Sequence, residues 1–167
     1  MYLFWWSKFW ERRNDMKSKT RKKLGRMTAG FFFVVYLITL AYFLFFSERY
    51  GRVGDHYYRY NLVPFQEIKR FVHYWKLLGI EAVIVNILGN VVAFMPFGFF
   101  LPIVSKSNQN FWCVALYSFE FSLGIELIQL SFRVGTFDVD DLIMNTFGSI
   151  LGYFCFCLQR KRLKKFL

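Results

Sequence analysis

The sequence predicts an all-α integral membrane protein: a bundle of four transmembrane helices, with an amphipathic helix lying at the extracytoplasmic interface between spans one and two. Three observations carry this expectation. Of 167 residues, 56% are hydrophobic and 23% aromatic, more apolar surface than a soluble domain of this size can hide. The apolar residues gather into four long blocks separated by basic or polar segments, as hydrocarbon-spanning helices require. Basic residues crowd the two ends of the chain and account for much of a net charge of +11. The organisation expected is a basic cytoplasmic segment over residues 1–27, a membrane domain over 28–158 and a basic cytoplasmic tail over 159–167.

The first span, Thr28 to Phe46, runs for 19 residues without a charge. At about 1.5 Å per residue it reaches roughly 28 Å, close to the thickness of the hydrocarbon. The long basic stretch before it and the absence of small residues at Phe45-Phe46-Ser47-Glu48 argue against a cleaved signal peptide. Between Ser47 and Glu81, Phe65, Ile68, Val72 and Trp75 recur at helical spacing while Glu67, Lys69, Arg70, His73 and Lys76 take other positions. That pattern fits a short helix in the head-group layer, an anchor or a lid over a membrane-facing pocket.

Span two, Ala82 to Val104, is free of charge but holds Asn86, Asn90, Pro96 and Pro102. The prolines predict a kink or fraying in its second half. Span three, Phe111 to Leu130, contains Glu120 and Glu126. Span four, Leu142 to Leu158, contains Asn145 and the small-residue pair Gly148-x-x-x-Gly152, which lets a helix of the same chain or of a second copy approach closely. Cys113, Cys155 and Cys157 lie within apolar blocks and read as small apolar residues, not as a disulfide or zinc framework. There is no internal repeat and no low-complexity segment.

Orientation follows from the basic residues. Nine precede span one, one (Lys106) lies in the turn Ser105 to Asn110 and five follow span four; six lie in Ser47 to Glu81 and Arg133 alone in the last connection. The fifteen on one side belong in the cytoplasm. The same segments account for the basic charge without nucleic acid, since Lys and Arg flanking a span hold that end inside and touch anionic lipid.

With that topology the intramembrane polar residues converge towards the outer side, where ionisable groups usually face the bundle interior. Glu126, Gln129 and Arg133 share a face if the helix continues past Leu130; Asn86, Gly89 and Asn90 share another, and Asp141, Asn145, Gly148 and Gly152 a third if span four begins near Asp141. Glu126, Asp138, Asp140 and Asp141 outnumber Arg133. The set reads either as a network of ion pairs that holds the helices in register or as a binding site, the surplus of acid favouring a site. Glu120 lies about 120° from the Glu126 face and outside the cluster. His56 and His73 have no spaced partner and read as solvated or interfacial.

Asn61-Leu62-Val63-Pro64-Phe65, Asn86-Ile87-Leu88-Gly89-Asn90, Phe94-Met95-Pro96-Phe97-Gly98 with Leu101-Pro102, Glu126-Leu127-Ile128-Gln129, and the stretch from Arg133 through Phe137-Asp138-Val139-Asp140-Asp141-Leu142, Asn145-Thr146 and Gly148 to Gly152-Tyr153 stand in an order that resembles the VanZ-like family. The resemblance extends from about Phe31 to Leu158. It implies a multi-pass protein of the bacterial cytoplasmic membrane, related to one whose presence raises resistance to the glycopeptide antibiotic teicoplanin.

Three functions are open at this level. In the first, the outward polar cluster binds, acts on or shields an envelope lipid or a glycopeptide-related ligand. The second is a membrane-embedded enzyme on a lipid-linked or phosphate-bearing substrate, with Asp138, Asp140 or Asp141 holding a divalent cation and Glu126 or Asp141 catalytic. The third is a small transporter or channel lined by Asn86, Asn90, Glu120 and Glu126. No Ser/His/Asp, Cys/His or glycine-loop motif favours an enzyme, and no cofactor motif is evident.

Overall fold

The structure, a computed structural model, describes residues 2–46, 60–105 and 109–163. Helix α1 (Tyr2–Phe46) is followed by a two-residue strand β1 (Tyr60–Asn61) and two short helices, α2 (Gln66–His73) and α3 (Trp75–Leu78). Span two opens with α4 (Ile80–Val83), passes through a π-helical segment at Ile84–Leu88 and continues as α5 (Gly89–Val104). Helix α6 (Phe111–Phe132), strand β2 (Phe137–Asp138) and helix α7 (Val139–Leu163) complete the chain. Four helical stretches, Lys19–Phe45, Ile80–Val104, Phe111–Phe132 and Val139–Leu163, are long and apolar enough to cross a membrane. The last three contain the expected blocks and the first covers its block as far as Phe45; the first, second and fourth also extend into flanking polar sequence, because Lys, Arg, Glu and Gln are good helix formers. The basic stretch before span one is helical as well, continuous with the span.

Packing centres on α5 against α7, and glycine is the reason. A side-chain carbon at Gly148 would collide with the Val91 carbonyl, one at Gly152 with the Met95 carbonyl, and one at Gly98 with the Ser149 carbonyl. The two backbones thus notch into each other from both sides. The Gly148–Gly152 seam is occupied within the chain, so a second copy cannot use it. Phe97 stacks on Phe121 of α6 with ring centroids 4.8 Å apart. At one end of the bundle the Tyr153 hydroxyl donates to the Gln109 carbonyl at 3.0 Å, tying the start of α6 to α7.

Span two does not fray at its prolines. Helix α5 runs unbroken through Pro96 and Pro102, and the irregular turn lies in the first half of the span. Proline weakens the ladder at the carbonyls one turn before it. Here, in the turn before Pro96, the Tyr36 hydroxyl donates to the Ala93 carbonyl at 2.8 Å and Ser149 Oγ to the Phe94 carbonyl at 3.2 Å. Neighbouring side chains thereby supply donors near the interruption, as helices in lipid require. In the first half, Asn86 Nδ2 donates to the Ala82 carbonyl at 2.8 Å, beside the π turn. Such a side-chain bond competes with the regular ladder.

The interfacial element is two short helices that meet at Tyr74, and Gly79, with φ 87°, turns the chain into span two. Phe65 precedes α2 in the left-handed region, at φ 64°. Of the apolar residues at helical spacing, Phe65, Val72 and Trp75 are exposed and Ile68 is half-buried. His73 lies edge-on to the Tyr74 ring, with centroids 4.8 Å apart. His56 and Lys106 lie outside the described residues.

Candidate functional site: a carboxylate hub at one end of the bundle

Strand β1 pairs in parallel with β2, Tyr60 opposite Phe137 and Asn61 opposite Asp138. This brings the connection before span two onto the connection between spans three and four. The carboxylates meet there. Glu126 Oε2 accepts the Asp138 backbone N–H at 3.0 Å. Asp138 Oδ1 accepts the Asp140 N–H at 2.8 Å and Asn61 Nδ2 at 3.1 Å. The Asp140 carboxylate accepts the backbone N–H groups of Phe65, of Glu67 at 2.8 Å and of Ile68 at 3.1 Å. Asp140 therefore caps the start of α2 from a different helix and satisfies donors that every helix leaves open.

These contacts answer the surplus of acid that the sequence displays. Buried carboxylates require hydrogen bonds, and here most donors are main-chain amides, not basic side chains. Glu126, Asp138 and Asp140 are all buried. The ion pair Arg70–Glu67, at 2.6 Å on α2, sits at the edge of the hub. Burial holds the Asp138 carboxyl above its ordinary range, with the Asp140 charge adding to the rise and the Asp140 N–H opposing it. Burial likewise raises Glu67; Arg70 pulls it back, and Asp138 and Asp140 push it up.

Asp141 is partnered differently. Its Oδ1 accepts Asn90 Nδ2 from α5 at 2.5 Å. One turn deeper, Asn145 donates to Ser122 Oγ at 2.8 Å, while among the described residues its buried Oδ1 has no hydrogen-bond partner. Below it Ser149 and, on α6, Ser118 and Ser122 are fully buried. A polar column thus descends from the hub between α6 and α7.

Of the sequence-predicted site residues, Asn90, Glu126, Asp138, Asp140, Asp141 and Asn145 come together. Asn86 does not, because its amide turns back on its own helix. Gln129 reaches α1, donating to the Leu44 carbonyl at 3.0 Å. Arg133 does not share the Glu126 face: α6 stops at Phe132, and Arg133, exposed and left-handed at φ 56°, ends it. Among the described residues, no group of three His, Cys, Asp or Glu is arranged to hold a metal ion, and the lone pairs of Asp138 and Asp140 face N–H donors. The sequence reading left Asn61, Glu67, Ser118, Ser122 and Ser149 out of the site. Ser118 and Ser122 could have been found, since with Glu126 they repeat every four residues. All three cysteines are free thiols.

Beside the hub an apolar groove of about 670 Å³ opens between α1 and the first half of span two. Leu40, Phe43, Leu88, Val92 and Pro96 line it, and Asn90, the partner of Asp141, lies in its wall.

Fold and site together define a small four-span helical membrane protein whose acidic residues organise one end of the bundle. The chain belongs to the VanZ/LLP1 family, which it matches over residues 33–160. It is 27% identical over 145 residues to Protein VanZ of Enterococcus faecium, an alignment that takes in 85% of this chain and 81% of that protein. No solved structure matches it.

Proposed function

We propose that this protein acts in the bacterial cytoplasmic membrane as VanZ-type proteins do, lessening the effect of teicoplanin, with both termini in the cytoplasm and the carboxylate hub at the outer surface. The observation that carries the proposal is the likeness to Protein VanZ along four-fifths of that protein, at 27% identity. The orientation is supported by fifteen basic residues on one side against seven on the other. The hub lies at the end formed by the two connections that this orientation puts outside. There it binds or shields a component of the cell envelope.

The groove favours a lipid-linked component. An acyl or isoprenoid chain fits between Leu40, Phe43, Leu88 and Val92, which leaves a polar head near Asn90 and Asp141. The enzyme reading would use the same ligand, with Asp141, whose Oδ1 accepts Asn90 in the groove wall, as the group nearest to it.

The test is the teicoplanin inhibitory concentration of a susceptible Gram-positive host that expresses the wild type, Asp141→Asn or Glu126→Gln at equal membrane abundance. A rise with the wild type and none with the variants is the expected result. A rise with all three sinks the assignment to the hub, and a rise with none sinks the antibiotic role.

A further inference from the structure

Helix α6 has two faces. Val114, Ser118, Ser122, Ile125 and Glu126 are buried against the bundle. On the opposite side Cys113, Tyr117, Glu120, Gly124, Leu127 and Ser131 follow one another at intervals of four and three residues. Residues at that spacing lie on one side of the helix. Among the described residues the face is only partly covered: Tyr117 is 42% and Leu127 48% exposed, Glu120 and Ser131 are exposed as well, and Cys113 and Gly124 are half-buried.

Two features mark this face as incomplete in a single copy. Glu120 lies near the middle of a 22-residue helix on its lipid-facing side, and among the described residues no hydrogen bond or ion pair reaches it. Ionisable groups at that depth ordinarily face protein and find a partner. One turn away, a side-chain carbon built at Gly124 meets nothing within 4 Å, as at Gly30 and Gly89 on other helices, whereas Gly98, Gly148 and Gly152 each face a backbone, so Gly124 leaves room for a close approach.

We propose that this face is a subunit interface, on which α6 of a second copy of the chain docks in parallel across a two-fold axis along the membrane normal. The backbones come closest at Gly124, and each Tyr117 hydroxyl donates to Glu120 of the partner subunit. A second copy is the occupant because the face is self-complementary: it carries the acceptor and, three residues earlier, a donor. The bilayer holds two copies in the same orientation, so donor and acceptor lie within about one helical turn of depth of each other.

The experiment uses the full chain in membranes, with Cys155→Ala and Cys157→Ala leaving Cys113 on the seam as the reporter. Mild copper-phenanthroline oxidation is expected to yield a Cys113–Cys113 dimer, and native mass measurement in nanodiscs a two-subunit species. Moving the thiol off the seam, with Cys113→Ala and Phe119→Cys, is expected to abolish the cross-link. Gly124→Leu and Tyr117→Phe are each expected to weaken dimerisation by about tenfold. Tyr117→Phe should leave unfolding of the monomeric fraction unchanged, because it removes only the hydroxyl of a side chain that is 42% exposed. A monomeric mass, equal cross-linking from position 119, cross-linking indifferent to both variants, or a mass that shows a different protein on this face would each overturn the proposal.

Discussion

The Asp140 carboxylate accepts the backbone N–H of Phe65, a residue 75 positions earlier in the chain. With the amides of Glu67 and Ile68 on the same carboxylate, this contact fastens the interfacial helix to the start of span four. A hydrogen bond to a charged group contributes about 1.5–3 kcal/mol, and breaking one leaves buried donors without partners. The acidic run is therefore structural at Asp140, whatever its neighbours do.

Asp140→Ala should release α2 from the bundle. We expect a loss of about 3 kcal/mol or more, since three amides lose their acceptor at once, and faster amide hydrogen exchange at 65–68 than in α5 and α7. Unchanged protection at those amides would mean that Asp140 does not hold the helix.

Gly148→Leu should prevent α7 from seating on α5, because the new side chain meets the Val91 carbonyl and the backbone cannot move aside. Overpacking of this kind typically costs about 1–3 kcal/mol, and more where the obstacle is main chain. A denaturant titration in detergent that gives the same midpoint as wild type would show that the seam is looser than described.

Acidification should stabilise the hub. Asp138 and Glu67 are both raised in the folded protein, so folding favours their protonated forms. Their stabilisation is fully present below the unfolded value, roughly pH 4, and is lost as pH rises through the folded value. Melting temperature measured upward from about pH 4 should fall, and Asp138→Asn should flatten that slope. A slope of the opposite sign would show that the amide donors outweigh burial.

Asn90→Leu removes the 2.5 Å contact with Asp141 and leaves the glycine seam intact. We expect normal membrane abundance, with stability lowered by about 1–2 kcal/mol. Protection against teicoplanin should be lost. Protection equal to wild type at equal abundance would remove Asn90 and its bond to Asp141 from the functional site.

The four spans, the two glycines of span four and most of the acidic cluster are legible from the chain because they depend on local properties. Hydrocarbon thickness sets the length of an apolar run, and helical periodicity places Glu126, Asp141 and Asn145 on defined faces. Helical periodicity fails where the helix itself ends or turns inward. Arg133 leaves the Glu126 face because α6 stops at Phe132, and Asn86 directs its amide to its own helix instead of to the carboxylates.

Only the tertiary structure decided what the carboxylates bind. Their principal partners are main-chain amides, which every residue but proline carries and which no side-chain pattern reveals; which amides they are depends on the pairing of Tyr60–Asn61 with Phe137–Asp138 across the bundle end. It also decided that the Gly148–Gly152 seam belongs to Val91 and Met95 of the same chain, while Gly124 on α6 meets no backbone within 4 Å. A glycine in the sequence marks only where a backbone can come close; the fold determines which backbone does.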